Sequence, residues 1–384
     1  MRFLWCIFFM AGSLLAENTL PSKQAESVKI LIQQGAKEAL LEAKGPYYIF
    51  NPKDHSRITS GLLGKRFLVH ATEKGIKWGE TFLDIHQISL VPRSESCSLL
   101  VNGVQYDGSL SIYAKEDRIH IVNEVLIEDY VNAVLAKEFL YPIDTEVLSA
   151  VAILARTSAH YYAKNPQSLW HLDAQEIDYV GSFLRTPGSF IDKVIKSTKG
   201  LILVHDVNGK KEAFPATWTE HSGGKTAAFS AIFRKEALCP SISASAPYAL
   251  NDRKDSNWIF SIDKGALAKK CGMQDIENIE LFIDHESKKS YAVRLVGKQE
   301  QKDLNFFAFQ KLLGKDCIQS NDFTIESTHQ ELIFDGYGKG HGVGLCLYSA
   351  GLMAEKGDNA LQILTKFYEG TSLYNLTAKL ASNK

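Results

Sequence analysis

Gly336-Tyr-Gly-Lys-Gly-His-Gly-Val-Gly344 constrains this chain more than any other stretch. Glycine at every second position cannot make a normal strand or helix, because each one adds backbone freedom and leaves nothing to pack. The stretch predicts an irregular backbone held against a ligand or another loop. Its only ionisable side chains are Lys339 and His341. A second glycine-bearing loop, His221-Ser-Gly-Gly-Lys-Thr226, lies upstream. Gly223 and Gly224 are neighbours, so this is not the Gly-x-x-x-x-Gly-Lys-[Ser/Thr] spacing of a phosphate loop. By itself it reads either as an ordinary turn or as a place where backbone N–H groups come close to a ligand. Ser222, Lys225 and Thr226 would add donors there.

Far ahead of both loops, Leu135-Ala-Lys-Glu-Phe-Leu-Tyr-Pro142 places Glu138 among Phe139, Leu140 and Tyr141. Burial in such company disfavours the charged carboxylate, and a carboxyl group that keeps its proton can serve as a general acid. A short helix is predicted over Val125–Leu135, with Glu138 following its end. Pro142 stops that pattern. Asp144 is the expected N-cap of a longer helix, and Glu146 suits its positive first turn. Val147, Val151, Leu154, Ser158 and Tyr161 recur at steps of four and three, which predicts a buried stripe. Arg156 in this helix reads equally as an exposed or ion-paired arginine and as the buried partner of a carboxylate.

Composition narrows the classes. The chain has 384 residues, 45% hydrophobic and 23% charged, with a net charge of −1 and no long run of one sign. That suits a globular chain with a real core and argues against a nucleic-acid partner, which needs a basic face. Arg2 followed by the apolar run Phe3–Leu15 and the small Ala16 predicts a signal peptide over residues 1–16, and hence an exported protein of the periplasm or cell envelope. The run is too short for a comfortable membrane span, so a membrane is expected to be met only through an uncleaved signal. After the signal, Cys97, Cys239, Cys271, Cys317 and Cys346 remain. An odd number at wide spacings, with no Cys-x-x-Cys, is neither a disulfide framework nor a zinc ribbon, although one or two bridges remain open.

Residues 17–27 read as a loose leader. Val28–Ile32, Tyr47–Phe50, Leu83–Leu90 and Leu110–Tyr113 are short β-branched or aromatic runs between turn signals, and Asn102-Gly103 predicts a tight hairpin. Residues 17–118 are therefore expected to form a β-rich N-terminal region. Ile119–Val122 opens a second region, expected to run to residue 376. A helix is predicted over Ser189–Ser197, and a hairpin with strands Leu201–His205 and Lys211–Phe214 around Asn208-Gly209. Residues 240–330 are mixed and polar and carry no motif, with helices expected near Gly265–Cys271 and Leu304–Leu313. Helices over Tyr348–Lys356 and Asp358–Tyr368 follow the glycine run, ended by Gly357 and Gly370. The expected fold class is α+β, with a β-rich N-terminal part and a helical and β catalytic region around a groove.

The order of these motifs resembles the stage II sporulation protein D family, also called the SpoIID/LytB or amidase-enhancer family. The likeness runs from about Val101 to Leu373. Val101–Gly108 and Val122–Tyr130 look like the family's opening segments. Lys137-Glu-Phe, then Glu146-Val-Leu to Ala155-Arg-Thr157, look like its Ser-Glu-Met-Pro and Ala-Ala-Arg-Thr region. Ser222-Gly-Gly224 and Gly340-His-Gly-Val-Gly344 match its later signatures. This chain departs from the pattern at Ser149, Val151 and Ser158, where the family often has lysine, glutamine and tyrosine. It has Leu345-Cys346-Leu347 in place of Met-Ser-Gln. Some members hold zinc with two histidines and two cysteines near the segment 170–181, where this chain has His171 and no cysteine. No metal site and no cofactor are expected, since a structural zinc takes about four ligands.

The resemblance implies a lytic transglycosylase of peptidoglycan, acting on glycan strands already stripped of stem peptides, in cell-wall remodelling at division or sporulation. It places the catalytic glutamate on Glu138. One carboxyl group suffices for that reaction, whereas an ordinary glycoside hydrolase uses two. Asp144 and Glu146, the nearby candidates for a second, read as helix-start residues. Arg156, Tyr179, His221, Ser222, Gly223, Lys225 and His341 are the candidate substrate-side residues. His221, Ser222 and Lys225 would meet sugar hydroxyls or acetamido groups, and Tyr179 and Trp218 would stack on sugar rings. His341 is expected to order its loop rather than to move protons. Two rivals stand beside the transglycosylase. One is a non-catalytic enhancer that binds peptidoglycan and an amidase of the N-acetylmuramoyl-L-alanine type. The other is a structural protein of the envelope.

Overall fold

Asn102 and Gly103 take φ of 51° and 84°, and Asn208 and Gly209 take 54° and 80°. Each pair closes a two-residue hairpin, with Val101 opposite Val104 and Val207 opposite Lys210. Left-handed φ at both central positions matches the twist of the flanking strands, so both hairpins follow from Asn-Gly chemistry. The computed structural model describes residues 27–376 except 183, 235–238 and 242. The expected signal peptide and most of the expected leader lie outside the described residues. The chain is α+β and rich in strands, and it divides into two units.

The first unit holds the described residues up to Val125, with Asp173–Gln175. Its strands are β1 (Ser27–Ala36), β2 (Glu38–Lys44), β3 (Tyr47–Phe50), β4 (Arg57–Gly61), β5 (Lys65–Thr72) and β6 (Gly75–Trp78), then β7 (Glu80–Leu83), β8 (Gln87–Pro92), β9 (Ser98–Val101), β10 (Val104–Tyr106), β11 (Ser109–Lys115) and β12 (Arg118–Leu126). In one sheet β1, β12, β11, β8, β3 and β4 are neighbours in that order; in the other the order is β10, β9, β2, β5, β6 and β7. Alternate residues of both sheets, among them Leu41, Ile49, Val69, Trp78, Leu90, Ile112 and Ile121, bury one shared core. The single run expected over Leu83–Leu90 is two strands. Asp84 at φ 56° turns the chain between β7 and β8, a conformation that short polar residues tolerate and that breaks the pleat.

The second unit runs over Leu126–Leu172 and from Glu176 onward. Its helix α1 spans Ile127–Glu138 and α2 spans Thr145–Tyr162. Asp144 caps α2 as expected, its carboxylate accepting from Glu146 N at 2.7 Å. Val147 to Thr157 and Ala159 are all buried, so α2 is covered beyond the expected stripe over that span, while Ser158 and Tyr161 of the stripe are only half-buried. The run Ala150-Val-Ala-Ile-Leu-Ala155 leaves no polar face to turn outward. Helix α1 starts and ends later than predicted, and Glu138 is its last residue rather than a residue beyond it. Residues 257–337 are more regular than their polar composition suggested. Strands Asn257–Asp263, Glu331–Tyr337 and Phe323–Ser327 form one small sheet, and Asn278–Ile283, Ser290–Val296 and Gln301–Asn305 another. They share a core of Trp258, Leu267, Phe306, Phe309, Phe323 and Phe334. Among the described residues no helix is long and apolar enough to cross a membrane, and the five cysteines are free.

Candidate functional site

The two glycine-bearing loops pair with each other. Trp218–Thr219 lies parallel to Leu345–Cys346, with Trp218 opposite Leu345 and Thr219 opposite Cys346. His221 bridges Lys339, and Ala227 bridges Val343. The short strand Trp218–Thr219 is fixed from one side. Tyr368, fully buried, donates its hydroxyl to Thr217 O at 2.6 Å and accepts from Thr217 N at 2.9 Å. Thr217 Oγ1 donates to Val343 O at 3.2 Å; Thr219 Oγ1 donates to Lys339 O and accepts from Gly342 N, each at 3.1 Å. Side chains alternate along extended chain, so threonines at 217 and 219 grip the glycine run while Trp218 faces the other way. Gly344, at φ 77°, fits beneath them because a Cβ there would strike Thr217 O and the Tyr368 hydroxyl.

Trp218 meets Glu138. Its Nε1–H donates to Glu138 Oε1 at 3.1 Å. This contact joins the end of α1 to the strand that leads into the Ser222 loop. The apolar enclosure expected for Glu138 is not there. Glu138 is exposed, and Leu140 and Tyr141 are 65% and 84% exposed. The reason is local: α1 ends at Glu138, and the following Phe139–Ile143 segment runs over the surface before α2 begins, leaving little to pack over the carboxylate.

Three of the sequence-predicted substrate residues serve the fold instead. Arg156 is fully buried and grips Glu128 with both ends of its fork, Nε to Oε1 at 2.8 Å and Nη2 to Oε2 at 2.9 Å. Its Nη1 donates to Leu201 O at 3.0 Å. Glu128 sits ten residues before Glu138 on α1, about 15 Å at helical rise. Arg156 therefore locks α1 to α2 and to the strand Leu201–Val207, and it positions Glu138 only through the helix. Tyr179 is buried with its ring centroid 6.0 Å from that of Tyr130. Ser222 is 1% exposed; its N–H donates to Cys346 Sγ at 3.3 Å and its carbonyl accepts from Lys289 Nζ at 2.8 Å. A hydroxyl so enclosed cannot reach a sugar outside.

The two histidines repeat one device. His221 Nδ1 accepts from Gly223 N, and His341 Nδ1 accepts from Val343 N, each at 3.1 Å. Accepting at Nδ1 requires a neutral ring protonated at Nε2. His341 keeps a partly exposed edge but lies against the rings of Phe233 and Phe307, and burial pushes it down to about 4. Burial also lowers His221, with the Lys289 charge adding to it, while its ring rests 4.7 Å from that of Tyr348. The expectation that His341 orders its loop agrees with this geometry. His160, on α2, is likewise held to about 4 by burial and then by Arg156. A histidine whose folded value lies below its ordinary 6.5 destabilises the fold when protonated. Its contribution is complete above pH 6.5 and is lost as the pH falls toward 4. Urea unfolding monitored by tryptophan fluorescence is expected to lose up to about 3 kcal/mol per such histidine across that window. His341→Gln should flatten the slope there; an unchanged slope in both His341→Gln and His160→Gln would sink this account.

Sequence reasoning missed the charges beneath the loops. Asp322 receives Arg253 at both oxygens, 2.7 and 3.0 Å, and Lys289 Nζ at 3.3 Å. Burial alone would raise the Asp322 carboxyl; the Arg253 hydrogen bonds and the Lys289 charge override it and hold it below the usual range. Lys289 is pulled down by burial despite Asp322. Arg253 Nη1 also donates to Gly223 O. Gly223 is at φ 67°, and a Cβ there would fall 2.6 Å from Asp322 Oδ2. Asn321 Nδ2 donates to His341 O at 2.9 Å. No spacing signal announced these partners, because each is more than twenty residues from the loop atom it holds or lies in a segment without a motif. Beside them lies a surface hollow of about 340 Å³, lined by Gly223, Gly224, Lys225, Leu250, Arg253, Lys288 and Asp322 among others. Glu138 is not on its wall.

Residues 115–205 match the sequence profile of SpoIID, described as Stage II sporulation protein. That segment, about a quarter of the chain, is what is similar to SpoIID. The matched segment contains the end of β11, β12, α1, α2 and the strand from Leu201, hence Glu138, Arg156 and Tyr179; Trp218 and both glycine loops follow it. The SpoIID family is one of cell-wall function in sporulation and is associated with peptidoglycan lytic activity. Uncharacterized proteins of Chlamydia pneumoniae and Chlamydia muridarum are each 36% identical over 179 residues, 46% of this chain. Those alignments cover 65% and 62% of the two relatives' own lengths. An uncharacterized protein of Brachyspira hyodysenteriae is 27% identical over 346 residues, 88% of this chain and 91% of the relative.

Proposed function

We propose that this chain is a lytic transglycosylase that cleaves peptidoglycan strands lacking stem peptides. The observation that carries the reading is the hydrogen bond from Trp218 to Glu138, which sets the one candidate acid within the SpoIID segment beside the paired glycine loops. Glu138 donates its proton to the glycosidic oxygen between N-acetylmuramic acid and N-acetylglucosamine. The bond from that oxygen to the muramic anomeric carbon breaks. The muramic 6-hydroxyl oxygen forms the new bond to the same carbon, and its proton passes to Glu138. The product is a 1,6-anhydro end, no water is consumed, and Glu138 is restored. Sugar lying against Trp218 would cover the carboxyl and exclude water from it. The indole also offers a face for a sugar ring. Export to the periplasm or cell envelope, where the substrate is, belongs to this reading.

One observation favours a second reading. Leu140 and Tyr141 stand exposed beside Glu138, an apolar pair suited to a protein partner. In that reading the chain binds peptidoglycan and an amidase of the N-acetylmuramoyl-L-alanine type and stimulates it without cutting glycan. Incubation of the purified protein with amidase-stripped glycan, followed by mass spectrometry for anhydro-muramic ends, separates the two. Anhydro ends above the buffer control support the lytic reading. Their absence, with raised amidase turnover, supports the enhancer.

A further inference from the structure

We propose that the hollow beside Gly223 and Gly224 is a subsite for the free lactyl carboxylate of a muramic residue. This rests on the reading that stripped glycan is the ligand. The hollow, about 340 Å³, exceeds what a lone carboxylate or phosphate fills and falls in the range that takes a small molecule the size of one sugar. Three cations line it, Lys225, Arg253 and Lys288, against one carboxylate, Asp322. That carboxylate is already engaged by Arg253 and by the buried Lys289. Lys225 Nζ is held at 2.8 Å from Glu286 O, a backbone carbonyl that brings no charge. Among the described residues neither Lys225 nor Lys288 has a carboxylate at ion-pair distance, so the hollow keeps uncompensated positive charge.

The lining is not cationic throughout. Leu250 lines it and is 55% exposed. A lactyl group presents a methyl and a carboxylate on one carbon. A leucine and two lysines in one lining match that pair, with the exposed Ser245 beside them for ring oxygens or the acetamido group. The backbone makes the same point. Gly224, at φ 109°, leaves room that a side chain would take from Leu250, since a Cβ there would lie 2.8 Å from Leu250 Cδ1. Gly224 follows Trp218 by six positions, at most about 20 Å of extended chain, so one glycan strand is long enough to reach both. Attachment of a stem peptide turns the carboxylate into an amide. That removes the charge the lysines attract and adds bulk, so the hollow would read whether a strand has been stripped.

The test uses stripped glycan oligomers and the same oligomers with their lactyl carboxyls converted to methylamides. Binding to the full chain is measured by calorimetry. The free acids are expected to bind about 10-fold more tightly than the methylamides, the scale of one charge-assisted contact. Lys225→Gln with Lys288→Gln should lose the difference between acid and methylamide. Lys288→Glu alone, at an exposed turn, should abolish it. Equal binding of acid and amide by the unaltered chain would overturn the proposal. So would a preference that survives in the double variant, or inorganic phosphate competing as well as the glycan, which would make the hollow a general anion site. Preference without anhydro product removes the lytic reading alone; anhydro product without preference removes the subsite alone.

Discussion

Glu138→Gln is expected to lower the formation of anhydro ends by about 10³-fold, the usual scale for loss of a general acid. The amide keeps the shape and can still meet Trp218, so binding of stripped glycan should change little. The loss should fall on turnover and leave the binding constant in place. Trp218→Phe keeps an aromatic face and removes the Nε1 donor to Glu138. If the indole orients the acid, this variant should lose turnover by a smaller factor, about 10-fold, and binding should hold. Undiminished product from Glu138→Gln would take Glu138 out of the reaction and leave the enhancer reading in its place. Glu138 is exposed, so Glu138→Gln should not lower the melting temperature by more than a degree or two.

The second large effect is on stability. Asp322→Asn should destabilise the second unit by about 3–5 kcal/mol, the range for breaking a buried pair and leaving one charge without its partner. The side chain of Lys289 is 2% exposed and would be left with its hydrogen bond to the Ser222 carbonyl and no carboxylate to offset the cost of burying an ammonium. Urea unfolding gives the number. The control is Lys289→Met with Asp322→Asn, which removes the stranded charge; Arg253, about one-third exposed, can turn to water. The pair should recover a large part of the loss. If Asp322→Asn alone costs less than about 1 kcal/mol, the network is not what holds the loops. Because Arg253 and Lys289 reach the carbonyls of Gly223 and Ser222, the single variant should also loosen the loop beside Trp218 and lower activity.

Local chemistry was the legible part of the sequence. Asn-Gly hairpins, the Asp144 cap and the helices at 190–197 and 306–313 follow from a few adjacent residues, and adjacency is what a sequence displays. The glycine run also announced that its backbone would be irregular, although Gly336 lies in the strand Glu331–Tyr337 against the Trp258 ring. That the run would lie against a ligand or another loop was readable as an expectation; which loop it would meet was not. Nor were the partners of the two loops. Lys289 and Asp322 come from a segment with no motif, and nothing in polar, mixed composition marks which lysine will be buried. The environment of Glu138 was misjudged for a related reason. Phe139, Leu140 and Tyr141 are apolar, but apolar neighbours along the chain do not enclose a side chain unless a second element covers them. Arg156 was drawn as open between two roles, and the Glu128 fork decides it for the interior.

The parallel pairing of Trp218–Thr219 with Leu345–Cys346 has a kinetic consequence. Bringing together positions 219 and 346 closes a loop of more than a hundred residues, an entropy loss of roughly 4 kcal/mol if the intervening chain were disordered. The intervening residues carry their own core, from Trp258 to Phe334. If that core condenses early, its two ends are delivered as near neighbours and the closure is already made. The contact between Trp218 and Glu138 would then form late, once the excursion between the two strands had folded.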